Sequence, residues 1–342
     1  MQQWTEQKLD ALLAEPSETL ISDIKKIQGD ITVLGAGGKM GPTLCLLIKN
    51  AIHKAGINKR VTAISRFNGG DPAAEKLLND NGIETISCDL LDTEKLYKLP
   101  DAPNVIFMAG RKFGTMGQEW RTWAINATLP AFVADKYKKS NIVVFSSGNI
   151  YPIVPITSGG CTEKDAPGPI GDYATSTLAR ERAFEYAANT FGTKVFIYRL
   201  NFAVDLRYGI LCDIANYIMS DIPISLCNAV FNCVWQGWAN EVAVKALLYC
   251  SSPAKVMNIT GPEIYSTKKT AQVLGEYLGK TPLFSGAETQ SAYIADASEA
   301  MSIFGYPSVS AKTLIKWQAE WMLSGGRVLG KPTHFEERLG RY

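Results

Sequence analysis

Tyr173 has the surroundings in this sequence that most clearly suggest chemistry. It follows the turn-forming run GPIGD, residues 168–172, and lies at the start of a stretch that reads as a helix. Thr177, a small hydroxyl residue, comes four positions later on the same helical face. A free phenol is almost entirely protonated at pH 7, so a tyrosine acid/base needs a nearby positive charge. The pattern raises the hypothesis that Tyr173 is such a residue.

Three cations are candidates for activating Tyr173. Arg111 and Lys112 follow a predicted strand, at the sheet edge where ligands bind in parallel sheets. Arg180 lies seven residues after Tyr173, two turns along the same face, although a surface charge is the simpler interpretation of that position.

The composition gives little material for other kinds of site. The only histidines are His53 and His334, too few for a His-based metal site or a Ser-His-Asp triad, so we expect no metal. The seven cysteines never occur as CxxC, which is typical of reduced, buried cysteines in a cytoplasmic protein. The net charge is +2 without a basic tract, and no apolar run approaches about 20 residues. We therefore expect a small-molecule ligand, with neither nucleic acid nor membrane as partner.

Short β-branched runs alternate with helical ones from residue 30 to about residue 200. This spacing predicts an α/β fold with a doubly wound, Rossmann-type parallel sheet, followed by a smaller mixed C-terminal lobe. The predicted divisions are an N-terminal helical extension (1–28), a nucleotide-binding domain (29–204), a smaller lobe interleaved with it (205–325) and a tail of unassigned role (326–342).

The run GAGGKMG joins the first predicted strand to the first helix of this pattern. Glycines in a GxxGxxG frame at such a turn let backbone amides and a helix N-terminus approach a pyrophosphate. We therefore predict a dinucleotide site whose loop contacts come from Gly35, Gly37, Gly38, Lys39, Met40 and Gly41.

The second predicted strand ends in Ser65 and Arg66, where a carboxylate would normally hold the ribose 2′-hydroxyl of NAD. A hydroxyl and a guanidinium suit a 2′-phosphate, so NADP is favoured over NAD. Asp89 and Leu90, after the third strand, are the expected contacts for the adenine edge.

In their order, these motifs resemble the extended short-chain dehydrogenase/reductase family, which includes NAD-dependent sugar epimerases and dehydratases. GAGGKMG is similar to its cofactor loop, CDLLD to its adenine contact, VIFMAGRKFG to its fourth-strand motif and VVFSSGNIYP to its active-site strand. The resemblance runs from Gly35 to about Trp321. It implies cofactor contacts from Met108, Ala109, Gly110 and Asn126, and Lys112 takes the place of a cofactor-contacting lysine of the UDP-galactose 4-epimerase branch.

The resemblance makes Ser147 the catalytic serine and Tyr173 the tyrosine of a YxxxK motif, but Thr177 stands in place of the lysine. In the family that lysine holds the nicotinamide ribose and helps the tyrosine lose its proton. Thr177 can hydrogen-bond a ribose hydroxyl but brings no charge. Lys112 is the favoured replacement, because the resemblance already implies that it lies beside the cofactor.

A second departure concerns the substrate. The arginine that clamps the diphosphate in nucleotide-sugar members corresponds to Val234, so a small sugar, sugar acid or polyol is favoured over a nucleotide sugar. Arg207 is preferred to Arg199 for binding a carboxylate. The full set of predicted substrate contacts is Arg111, Gly148, Asn149, Asn201, Arg207, Trp235 and Gln236.

Two functions remain open at this point. One is an NAD(P)-dependent epimerase/dehydratase-type oxidoreductase that acts on a hydroxyl carbon of a carbohydrate-like substrate, with nucleotide-sugar epimerisation as a variant. The other is a dinucleotide-binding sensor or scaffold that has lost its chemistry with the lysine. The sequence leaves the assembly open, a homodimer included.

Overall fold

A parallel sheet of seven strands forms the centre of the computed structural model, which describes residues 3–67 and 73–342. The strands of the described residues are β1 (Ile31–Leu34), β2 (Val61–Ser65), β3 (Glu84–Ser87), β4 (Asn104–Phe107), β5 (Asn141–Ser147), β6 (Val154–Pro155), β7 (Lys194–Leu200), β8 (Ala203–Val204), β9 (Ile224–Ser225), β10 (Val230–Phe231), β11 (Val234–Trp235), β12 (Lys255–Ile259), β13 (Tyr265–Ser266), β14 (Phe284–Ser285) and β15 (Ser291–Ala292). The central sheet has the order β3-β2-β1-β4-β5-β7-β12, and every neighbouring pair in it is parallel.

Helices cover both faces of this sheet. They are α1 (Glu6–Leu13), α2 (Glu18–Asp23), α3 (Gly41–Lys54), α4 (Ala74–Asp80), α5 (Thr93–Lys98), α6 (Glu119–Trp123), α7 (Leu129–Lys136), α8 (Gly171–Phe191), α9 (Ile210–Met219), α10 (Gln236–Lys245), α11 (Thr267–Leu278), α12 (Ser298–Phe304) and α13 (Ala311–Leu323). A π-helical turn over Ala124–Thr128 links α6 to α7. The Rossmann-type α/β prediction is confirmed. No helix of the described residues is long and apolar enough to cross a bilayer.

The apolar spacing of the sequence explains how these elements pack. In α3, Leu44, Leu47, Ile48 and Ala51 recur at helical spacing, and all four are buried. β1 and β4 are buried along their whole length, as expected for strands covered on both faces. One apolar core therefore lies on each face of the sheet.

Residues 205–325 form the smaller lobe only in part. Helices α9 to α13 make up most of the regular structure of this region, and short strands within it form the pairs β8 with β11, β9 with β14, and β10 with β13. β12, however, pairs with β7 and becomes the outer strand of the central sheet. Residues 255–259 thus return to the central sheet, as the predicted interleaving would require, and the domain division remains a prediction.

Residues 326–342, the wall segment, contain no helix or strand yet are firmly attached. Arg338 donates hydrogen bonds to Cys227 O (3.0 Å), Asn228 Oδ1 (2.8 Å), Ser291 O (2.8 Å) and Ser291 Oγ (2.7 Å). Phe335 is buried, and its carbonyl accepts a hydrogen bond from the Asn228 side chain. The wall segment is therefore fixed to the short strands and loops between residues 227 and 291.

Candidate active site

A cleft runs along the carboxyl edge of the central sheet. It consists of a small pocket of about 230 Å³ and a large chamber of about 390 Å³. Gly35, Gly38, Met108 and Gly110 line both, so the two parts are continuous. This is the edge at which doubly wound sheets bind ligands.

The glycine turn between β1 and α3 lies at the junction of the two parts. Gly35 has a φ of +90°, and a Cβ there would lie 2.5 Å from the backbone nitrogen of Ala109. At Gly38 a Cβ would meet only Gly35 O, at 3.4 Å, and would otherwise project into the cleft. Protein packing therefore does not require glycine at position 38, and the absence of a Cβ leaves room for a ligand to approach the backbone closely. Met40 supplies no side-chain cap to α3, whose first N–H, from Gly41, donates to Gly38 O at 3.2 Å and whose second residue is Pro42. The turn thus fits a pyrophosphate.

The small pocket gathers residues from the ends of β1, β2, β3 and β4. Ser65, Arg66, Asp89 and Leu90 line it together with Ala109, as the sequence predicts for the adenosine half of a dinucleotide. Arg66 Nη1 lies 3.9 Å from Asp89 Oδ2, and both side chains are close to half exposed. Positive and negative charge are therefore balanced in this pocket.

Tyr173, in the first turn of α8, lines the large chamber. Lys112 Nζ lies 5.6 Å from the centre of the Tyr173 ring and donates a hydrogen bond to Thr333 O at 3.2 Å. The ring of Tyr342 packs edge-on against Tyr173, with 5.5 Å between the centres, and Lys112 Nζ is 4.4 Å from the Tyr342 ring centre. Burial lowers the pKa of Lys112 to about 8, against a weaker opposite effect of Asp213. The structure thus brings together the predicted acid/base and its predicted cation.

Ser147 lies at the end of β5 and lines the same chamber. Its Oγ donates to Asn149 Oδ1 at 3.2 Å and accepts a hydrogen bond from the Asn149 backbone N–H at 3.1 Å. Asn149 Nδ2 in turn donates to Tyr342 Oη at 2.8 Å. The wall segment therefore contacts both the serine loop and the tyrosine helix.

Thr177 does not face the cleft. Its side chain is buried, and Oγ1 donates to Tyr173 O at 2.7 Å, a bond within α8. The prediction that Thr177 contacts a ribose is therefore corrected, because its hydroxyl donates to the backbone of its own helix.

Asn126 also lies behind the cleft instead of lining it. Its Oδ1 accepts from the Arg111 backbone N–H (2.9 Å) and from Arg180 Nη2 (2.8 Å), and its Nδ2 donates to Arg111 O (2.8 Å) and Ser176 Oγ (3.1 Å). The π-helical turn carries Asn126 to this position. Asn126 thus fastens the loop after β4 to α8, which corrects its prediction as a direct cofactor contact.

Arg180 lines the large chamber and is buried, so it is not the surface charge suggested by its sequence position. Nη1 donates to Phe145 O at 2.7 Å, and Nη2 is the donor to Asn126. Burial lowers the pKa of Arg180 to about 10. Arg180 is a second fixed positive charge near Tyr173.

Arg199 has a structural role, as its position at a strand end indicates. Its Nη2 lies 2.8 Å from Glu181 Oε2 in a fully buried ion pair, and its Nη1 donates to Tyr151 Oη at 2.6 Å. Ser146 donates a further hydrogen bond to Glu181. This network joins β5, β7 and α8 beneath the chamber.

Three predicted substrate contacts lie outside the cleft. Arg207 pairs with Asp10 (2.8 Å), Asp205 (3.3 Å) and Glu6 (3.6 Å), so its charge is neutralised by its own chain. Trp235 is buried beside Trp317, and Gln236 Nε2 donates to Thr43 Oγ1 in the core. These three assignments are corrected, because Asp205 and two acids of α1 neutralise Arg207, and Trp235 and Gln236 are packed against α13 and α3.

The other predicted substrate contacts lie in or next to the chamber. Arg111, Asn149 and Asn201 line it. Gly148 lies directly behind Asn201, which a Cβ at position 148 would approach to 3.0 Å.

Some chamber residues carry no sequence signal that would place them there. Lys331 and Thr333 line the chamber from the wall segment, and Tyr342 contacts Tyr173. Lys39, expected in the cofactor loop, sends its side chain into the chamber, where Nζ donates to Ala203 O at 3.2 Å and lies 3.8 Å from the centre of the Tyr208 ring. Tyr342 follows Arg341 in an irregular tail, where no periodic pattern in the sequence marks it as a site residue.

A family model described as the NAD dependent epimerase/dehydratase family matches residues 31–203, just over half of the chain. The chain belongs to this family. It is an enzyme of the epimerase/dehydratase type, and its glycine turn and small pocket fit the nicotinamide dinucleotide on which the family depends. No curated protein sequence matches the chain.

Solved structures of the same fold are similar over most of their length. UDP-glucuronic acid 4-epimerase from Bacillus cereus, in complex with NAD, is 20% identical with a TM-score of 0.71, over 86% of this chain and 98% of that one. UDP-glucose 4-epimerase from Thermus thermophilus, in complex with NAD, is 18% identical with a TM-score of 0.68, over 85% and 98%. The Bordetella bronchiseptica enzyme WbmG, in complex with NAD and UDP, is 18% identical with a TM-score of 0.71, over 89% and 97%.

Proposed function

We propose that this enzyme acts on a hydroxyl-bearing carbon of a small sugar, sugar acid or polyol, with Tyr173 as acid/base and Ser147 polarising the substrate oxygen. The observation that carries the proposal is the position of Lys112 Nζ, 5.6 Å from the Tyr173 ring centre, in the chamber that continues from the glycine turn.

The dinucleotide would be held by the backbone of the glycine turn and by the residues of the small pocket. Bound there, it would supply hydride exchange at the reacting carbon. Gly38 leaves room for the pyrophosphate, and Ala109 lines the small pocket beside Gly110, which also lines the chamber.

Tyr173 takes the proton of the substrate hydroxyl and returns it. The ammonium of Lys112 stabilises the tyrosinate, the role that a lysine at position 177 would otherwise play. Arg180 adds a second positive charge from within α8. Ser147 turns its O–H from Asn149 towards the substrate oxygen, while the Asn149 backbone N–H keeps the serine oriented.

NADP is the proposed form of the cofactor. Arg66 lines the small pocket with nearly half of its side chain exposed, and only a long contact of 3.9 Å joins it to Asp89. The guanidinium therefore keeps most of its donors for a 2′-phosphate.

Two features of the protein favour a small substrate over a nucleotide sugar: the residue at position 234 and the wall segment. Val234 is buried in β11, where it pairs with β8, and cannot bind a diphosphate. From the wall segment, Lys331 and Thr333 line the remaining space, and Tyr342 packs against Tyr173.

The test is an activity screen of Tyr173→Phe beside the wild type and Tyr186→Phe. Tyr186 is a matched control, because it lies on the same helix and is 63% exposed. With sugar acids and polyols, nicotinamide absorbance reports oxidoreduction and NMR reports epimerisation. We expect Tyr173→Phe to lower kcat by about 10²–10⁴-fold and Tyr186→Phe to leave it unchanged.

Cofactor binding without turnover of any substrate by the wild type would contradict the catalytic proposal and favour a dinucleotide sensor. Equal activity of Tyr173→Phe and the wild type would remove Tyr173 from the reaction.

A further inference from the structure

The charges that line the large chamber have one sign. Of the described residues that line it, five are cationic and none carries a carboxylate; the cations are Lys39, Arg111, Lys112, Arg180 and Lys331. The small pocket differs, because Asp89 balances Arg66 there.

The two arginines of the chamber donate their hydrogen bonds to neutral acceptors. Arg111 Nη2 donates to Gly114 O at 2.6 Å and to Gln118 Oε1 at 2.8 Å, and Arg180 donates to Phe145 O and Asn126 Oδ1. These contacts fix the guanidinium groups but leave their charge uncompensated.

The two lysines retain donors. Lys39 Nζ has one protein acceptor, Ala203 O at 3.2 Å, and Lys112 Nζ has one, Thr333 O at 3.2 Å, whereas an ammonium can donate three hydrogen bonds. Within the described part of the chain, no carboxylate oxygen lies within 4.0 Å of either nitrogen.

Three acids, Asp205, Asp213 and Glu336, act on the two lysines from outside the chamber. Glu336 Oε2 is buried and has no hydrogen-bond partner among the described residues, whereas the two aspartates are engaged. Asp205 accepts hydrogen bonds from the Arg207 backbone N–H (2.7 Å) and from Arg207 Nη2 (3.3 Å). Asp213 accepts from Thr333 N–H (2.7 Å) and Thr333 Oγ1 (2.6 Å). None of the three acids lines the chamber.

Both ammonium groups converge on the same stretch of chain. Lys39 bonds to Ala203, and Lys112 Nζ lies 5.9 Å from the ring centre of Phe202. Burial lowers the pKa of each lysine to about 8, and the charge of Lys39 adds to this effect at Lys112. Two partly desolvated like charges are unfavourable together unless an anion joins them.

We infer that the substrate carries an anionic group, a carboxylate or a phosphate, that binds between Lys39 and Lys112. The inference rests on the proposed function for the identity of the site, but not on the chemistry performed there. Lysine in place of arginine at this position suits either group, since an ammonium acts as a compact point charge.

The pyrophosphate of the dinucleotide is a poor alternative occupant. Its seat is the glycine turn, where backbone amides and the start of α3 provide the contacts. Lys39 begins at this turn, but its side chain ends beside Ala203 and Tyr208, which line the large chamber and not the small pocket.

Calorimetry on the dinucleotide-saturated chain tests the inference, in a Tyr173→Phe background so that turnover does not interfere. The probes are glucuronate for the carboxylate, glucose 6-phosphate for the phosphate, and glucose as the neutral control. We expect at least one anionic probe to bind ~10-fold or more tightly than glucose. Lys39→Met should weaken that binding by ~10-fold or more, Lys39→Arg should retain most of it, and exposed Lys312→Met should have no effect.

The dinucleotide affinity of Lys39→Met, measured separately, should stay within about twofold of the parent, because the glycine turn is intact. Circular dichroism checks its fold, and Lys112→Met repeats the test from the other side of the site. Equal binding of glucose, failure of both anionic probes, or unchanged anion binding in both lysine variants would overturn the inference. Loss of dinucleotide affinity in place of anion affinity would assign Lys39 to the cofactor and overturn it too. Anion binding by a wild-type chain that turns over no substrate would reject the proposed reaction alone.

Discussion

The small pocket and the large chamber share one cleft but are built in different ways. The small pocket is made by turns that each follow directly on a strand of the sheet, and one acid balances its one arginine. The large chamber is completed by residues from β5, α8, the loop after β7 and the wall segment, and it carries uncompensated positive charge. Nucleotide binding thus depends on local geometry, whereas the chemistry depends on contacts between segments that are far apart in sequence.

Weakening the attachment of the wall segment should have the largest effect on the chamber while leaving the small pocket unchanged. Arg338→Ala removes four hydrogen bonds, so we expect the segment to lose about 2–3 kcal/mol of local stability. Hydrogen exchange should report faster opening of residues 326–342, and turnover should fall while dinucleotide affinity stays constant.

Arg341→Ala is the matched control, because Arg341 is exposed on the same segment. A parallel loss of dinucleotide affinity in Arg338→Ala would show that the two regions are not independent.

Arg66→Asp changes the small pocket alone. A carboxylate there repels a 2′-phosphate and can accept hydrogen bonds from the 2′-hydroxyl of NAD, so the preference should shift towards NAD by about tenfold, or 1.4 kcal/mol. Steady-state kinetics with the two cofactors measure the shift. Arg66→Lys keeps a positive charge and should still prefer NADP. An unchanged ratio of kcat/KM values in Arg66→Asp would reject the proposed 2′-phosphate contact.

Lys39→Met should stabilise the protein without ligands, by about 1 kcal/mol at pH 7. The folded pKa of Lys39 is lowered to about 8 from 10.5, so the unfolded chain binds more protons between these values, and the penalty present below pH 8 fades as the pH rises. Urea denaturation at pH 7 and near pH 10 should therefore show a gain that shrinks at the higher pH. Arg66→Met, at an exposed site in the balanced pocket, should give no such pH-dependent gain, and an equal gain in both variants would contradict the contrast between the regions.

The sequence predicts the small pocket well because its signals are local. Gly35 and Gly38 stand between a recognisable strand and helix, and Ser65, Arg66 and Asp89 each follow a strand whose apolar pattern is clear. Parallel strands bring their carboxyl ends together, so the order of elements along the chain predicts the neighbours in space.

The chamber is only partly predictable, because only some of its residues follow or begin regular elements. Tyr173, Ser147 and Lys112 follow or begin regular elements, and they do lie together. The prediction for Arg207 is wrong because its acidic partners include two on α1, about 200 residues earlier in the chain. Tyr342 and Lys331 lie in irregular backbone. Its path depends on hydrogen bonds to the lobe, and no periodic pattern in the sequence predicts these bonds.

The attachment of the wall segment also has a consequence for the newly synthesised protein. Chains fold from the N-terminus as they leave the ribosome, so β1 to β5 and the glycine turn can associate while residues 326–342 are still being made. Tyr342 can pack on Tyr173 only after synthesis reaches it. The glycine turn and its neighbouring strands can therefore form in a nascent chain before the wall segment completes the chamber.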